Sequence, residues 1–123
     1  MQVTPAIGSF IAAVDLERGL GVKITDNTTT PPTVGLVDAP TDDVLGVVVN
    51  GVPAGNGVGI AYFGDAFVQT DGTAIKPGER LQCNAGGLFS VAVDPANSVG
   101  RATGEPAGDS PASGDLVSMF VNN

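Results

Sequence analysis

The chain has 123 residues, among them 18 Gly, 9 Pro, 5 Phe, one Tyr, no Trp and no His. A chain of this length is expected to form one domain around one core, and without histidine neither a Ser-His-Asp nor a Cys-His arrangement nor histidine metal ligation is available. With a formal net charge of −8 and only 5 basic residues, it has no cluster that could neutralise a run of phosphates, so direct binding to nucleic acid is not expected.

The N-terminal stretch "MQVTPAIGSF" holds a proline and a glycine within its first eight residues and precedes any clear pattern. It reads as an arm over residues 1–10, with a single β domain over 11–123. The apolar residues Val3, Ile7 and Phe10 would anchor the arm to a partner surface or a neighbouring copy, because an unstructured segment orders only when something receives it. The same stretch lacks the basic start and long apolar region of a signal peptide. The longest apolar runs, such as residues 44–49, are far too short to span a membrane, so synthesis in the cytoplasm and no membrane partner are expected.

Next, "FIAAVDLERGLGVKIT" reads as strand, turn, strand, and "DNTTTPPT" as a loop, since paired prolines remove backbone donors and Asp and Asn favour turns. The sequon at Asn27 is read as chance. Candidate strands follow at 34–37, 44–50, 58–63 and 66–69, separated by "DAPTDD", "GVPAGNG" and "GD". "NAGG" links "RLQC" to "LFSVAV" as a hairpin loop. "VGRAT", a loop rich in Gly, Pro, Ala and Ser over 104–114, and a last strand over 115–121 complete the chain. The predicted fold is all-β, an antiparallel sandwich or barrel of about eight to ten short strands. "VLGVVVNGVPAGNGVGIAYFG" and "SVGRATGEPAGDSPASGDLVSMF" also share an order of pieces that two related hairpins would explain.

Little in the chain suggests chemistry. Asp42 and Asp43 are adjacent and lack the spaced ligand ladder of a calcium loop, so they read as a solvated turn. The glycines of "AGNGVG" lack the Lys-Ser/Thr of a phosphate loop and a following helix. Cys83 alternates with Leu81 along a strand and has no histidine to activate it, so it reads as a small buried hydrophobe. No catalytic residue, cofactor or metal site is assigned, and the protein is not expected to be an enzyme.

Taken in order, "GLGVKI", "VLGVVVNGVPAGNGVGIAYFGDAFVQ", "IKPGERLQCNAGGLFSV" and "VGRATGEPAGDSPASGDLVSMFV" resemble the tailed-phage capsid decoration or cement proteins, over residues 19–121. The "DNTTTPPT" insertion and the long "GEPAGDSPASG" loop depart from that pattern. The resemblance implies an all-β protein on the outer capsid surface of the virion, often a homotrimer at or near threefold axes, that clamps neighbouring major capsid proteins and stabilises their lattice. A tail or fibre receptor-binding module is the alternative, against which the scarcity of aromatic platforms for sugars counts.

Overall fold

The computed structural model describes residues 6–103 and 113–122. Within them lie nine strands: β1 (Ala6–Ala12), β2 (Gly21–Asp26), β3 (Thr33–Leu36), β4 (Gly46–Val48), β5 (Gly57–Gln69), β6 (Arg80–Cys83), β7 (Phe89–Val91), β8 (Gly100–Ala102) and β9 (Leu116–Asn122). The described helical segments are two three-residue 3-10 turns, Ala85–Gly87 and Pro95–Asn97. The all-β expectation therefore holds, and the architecture is a barrel extended by a further sheet.

The barrel has five strands in the order β1-β3-β2-β4-β5, and β5 closes it by pairing with β1 from Ala6↔Phe63 to Ile11↔Gly57. The β1–β3 contact is parallel, whereas the other barrel contacts are antiparallel. Closure gives each of these five strands a partner on both sides. Leu16, Leu20, Val22, Val34, Val48, Val58 and Ile60 pack together as the barrel core.

Strand β5 runs for 13 residues and belongs to both halves of the molecule. Its first half pairs with β1 and β4, and its second half pairs with β9 from Phe63↔Asn122 to Gln69↔Leu116. Strands β8, β6 and β7 continue outward from β9. A second core forms where Val68, Leu81, Cys83, Phe89, Met119 and Val121 of this sheet meet Val37, Val44 and Val47. Val47 and Val48 show how one strand serves two cores. Successive side chains point to opposite faces, so Val48 joins the barrel core and Val47 the second one. Gly21, the register partner of Val47, keeps the two layers close, because a Cβ there would strike the Cys83 Sγ and the Phe89 ring.

Two sequence-based boundaries change. The "GD" at 64–65 does not separate two strands: Gly64 takes φ +100° inside β5, and the strand continues through it without reversing the chain. The arm expected over 1–10 is also corrected, since residues 6–10 form the first part of β1 and complete the barrel. The amide pairing offered by β5 outweighs the weak local preference of "AIGSF". Residues 1–5, and the 104–112 part of the predicted terminal loop, lie outside the described residues.

The internal similarity has a structural counterpart. Strands β4–β5 and β8–β9 each pair antiparallel, and the order β4-β5-β9-β8 sets the two pairs side by side. In each pair a glycine of the short strand backs onto a carbonyl of the long one: a Cβ at Gly46 would collide with the Ala61 carbonyl oxygen, and one at Gly100 with that of Phe120. Because the obstacle is backbone within a ladder, it cannot move aside cheaply. Gly100→Ala is expected to destabilise the protein by about 1–3 kcal/mol, read from urea unfolding, and an unchanged midpoint would contradict this packing.

Cys83 is buried in the second core, and desolvation pushes its thiol up to about 12. It is a packing residue, as its alternation with Leu81 suggested.

Candidate functional site

Of the three residues predicted to dock, Val3 lies outside the described residues. Ile7 stands on β1 opposite Ala61 and is 51% exposed. Phe10, opposite Val58, is half-buried and packs against the barrel core, so it holds β1 in register. The structure thus leaves Ile7 as the exposed apolar side chain of this group among the described residues.

The acidic loop after β3 is organised rather than simply solvated. The Asp42 Oδ2 accepts hydrogen bonds from the Asp38 backbone N–H at 2.8 Å and the Ala39 N–H at 3.2 Å. It also receives the Lys23 Nζ at 3.1 Å, while that amine donates to Asp38 Oδ2 at 2.9 Å. The Asp38 N–H first and the Lys23 ammonium next hold the Asp42 carboxyl below its usual range, and the two carboxylates raise Lys23. A depressed carboxylate contributes stability that is present above its unfolded pKa and is lost as pH falls through the folded one. The raised Lys23 acts at the other end, its contribution being lost only in alkali above its ordinary value of 10.5. Wild type is therefore expected to lose stability as pH drops below the ordinary aspartate value of 3.8, and Asp42→Asn to lose less over that interval. Parallel acid limbs of Tm against pH for the two proteins would contradict this.

The most distinctive surface is the outer face of β5, β9, β8 and β6. Asp65, Phe120, Arg101 and Arg80 form one cross-strand row, since Asp65 pairs with Phe120, Phe120 with Arg101 and Arg101 with Arg80. Beside this row, Phe63 meets Phe120 edge to face at 5.3 Å, and the Arg18 guanidinium lies 4.9 Å from the centre of the Phe67 ring. Phe63 and Phe67 are exposed, at 44% and 48%. A groove of about 370 Å³ runs along the Arg side, lined by Arg80, Arg101, Phe120, Asn122, Ser98 and Thr103.

All three arginines and three of the five phenylalanines of an acidic chain therefore share one face. Arginine and aromatic side chains are the types enriched where proteins meet. Sequence reasoning missed this face because it divided β5 at Gly64. Read through the glycine, Phe63, Asp65 and Phe67 fall on one side, and Leu116, Ser118 and Phe120 of β9 fall on the same side.

No family model matches the chain, and no curated protein matches it. Among solved structures, the fold is similar to the head fiber gp8.5 N base of bacteriophage phi29, with a TM-score of 0.70 and 18% sequence identity. The superposition covers 97% of this chain and 95% of that one. At this identity the likeness establishes a shared fold, and it extends over both the barrel and the added sheet.

Proposed function

We propose that this chain is a structural, non-enzymatic protein of a phage head, bound to the outer capsid surface and acting as a decoration or cement protein. The observation that carries the reading is the likeness over nearly the full length of both chains to the base of a phage head fiber. The succession of strand and turn motifs that resembles capsid decoration proteins supports it independently. A head-bound module of this kind gains from repetition, because many individually weak contacts act together on one shell. Its partners are the major capsid protein and further copies of itself, in a homotrimer at or near the threefold axes, without nucleic acid or membrane.

Docking on the head uses the apolar side chains at the start of the chain, Val3 and Ile7, with Phe10 fixing the strand that presents Ile7. An exposed isoleucine beside a glycine-rich strand gives a partner an apolar anchor at little cost to the fold.

Heads assembled without the protein are expected to rupture sooner on heating and osmotic shock than complete heads, and adding the purified protein back should restore resistance. Equal survival of the two kinds of head would remove the cement role. The similarity to a fibre base favours one second reading, a base that anchors a projecting fibre. In that case heads lacking the protein keep their heat resistance while host adsorption falls.

A further inference from the structure

Arg80 and Arg101 are register partners on adjacent strands, and both side chains are exposed on the outer face. Like charges placed directly opposite each other in a sheet destabilise it. An anionic partner reverses the balance, because a carboxylate lying between two guanidinium groups makes charge-assisted hydrogen bonds to both. The groove beside the pair is open and has the Phe120 ring as one wall. Phe63 and Phe67 extend the surface with apolar area.

We propose that this arginine and phenylalanine face is the contact by which one copy of the chain binds a second copy through that copy's acidic surface. Charge complementarity selects the occupant. The chain has 13 acidic residues against 5 basic ones, and the arginines are gathered on this face while one of the two lysines, Lys23, is held by Asp38 and Asp42. The loop holding Asp38, Asp42 and Asp43 carries three carboxylates against that single lysine, so its surplus negative charge suits the arginine pair of a neighbour. A basic face on an acidic one is a head-to-tail contact, which generates closed rings when the rotation closes. This deepens the oligomeric part of the function proposed above. It is tested without heads, so its failure leaves head attachment untouched.

The test is sedimentation of the purified full chain, alone and as Arg80→Glu/Arg101→Glu and Arg80→Gln/Arg101→Gln, at low and high salt. The wild type is expected to self-associate in a salt-sensitive way. The Glu pair should weaken association at least about tenfold, since it sets like charge against like across the contact. The Gln pair guards against a folding artefact: it relieves the opposed charges, so the variant should match or exceed the wild-type Tm at low protein concentration while associating less. A wild type that stays monomeric at about 100 μM, well above the micromolar range of specific interfaces, overturns the proposal. Variants that associate as strongly as wild type overturn it too. So does a Gln pair with a lower Tm, which would show that the arginines pair within their own chain.

Discussion

A chain lacking residues 1–10 is expected to lose its native fold, while one lacking only residues 1–5 keeps it. The longer deletion removes the strand residues opposite Phe63, Ala61, Ile60, Gly59 and Val58, leaving that stretch of β5 without its β1 partner. It also removes Phe10 from the barrel core and Gly8, which lies against the Phe10 ring. Loss of the Phe10 packing alone is worth up to about 3–5 kcal/mol for a fully buried ring, and somewhat less here because it is half-buried. The unpaired backbone of β5 adds to that, at roughly 0.5–1.5 kcal/mol for each ladder bond. Set against a typical total of about 5–15 kcal/mol, the sum removes most of the stability. Circular dichroism and urea unfolding of the two truncations decide the matter. A cooperative, near-wild-type transition in the longer deletion would show that β1 is dispensable to the barrel.

Phe89→Ala is expected to cost about 3–5 kcal/mol. Phe89 is the largest of the fully buried side chains and stands opposite Cys83 in the β6–β7 pair. Its ring lies within 3.1 Å of where a Cβ would sit on Gly21, so it fills the contact between the barrel wall and the outer sheet. Residues around such a gap belong to two different layers and cannot collapse together to close it. Phe89→Leu should cost distinctly less, because it retains most of the volume. A loss below about 1 kcal/mol for the alanine variant would mean that the two layers are not held through this ring.

The class of fold was legible in the chain because valine-rich runs and glycine-bearing turns recur at short intervals. "NAGG" did form the turn between β6 and β7, where Gly86 and Gly87 both take φ +78°. The strand expected over 115–121 is observed as Leu116–Asn122. Long-range closure was not legible. Nothing local in "AIGSFIA" says that it pairs with a strand some fifty residues away, so the stretch read as an arm. Gly64 misled for a related reason: a glycine within an apolar run signals a turn as readily as a bend. The face bearing Phe63, Phe67, Phe120, Arg80 and Arg101 depends on both the continuity of β5 and the register of β9, which only the folded chain sets. Asp42 was recognised as a turn residue, but its bonds to the Asp38 and Ala39 amides and to Lys23 join two segments that the sequence keeps apart.

The most direct test of the account is cryo-electron microscopy of virions from a phage carrying this gene, compared with virions of the same phage from which the gene is deleted. Difference density is expected on the outer surface of the head, at or near the threefold axes, into which the nine-stranded module fits as three copies. Difference density confined to the tail, or a head surface unchanged by the deletion, would contradict it.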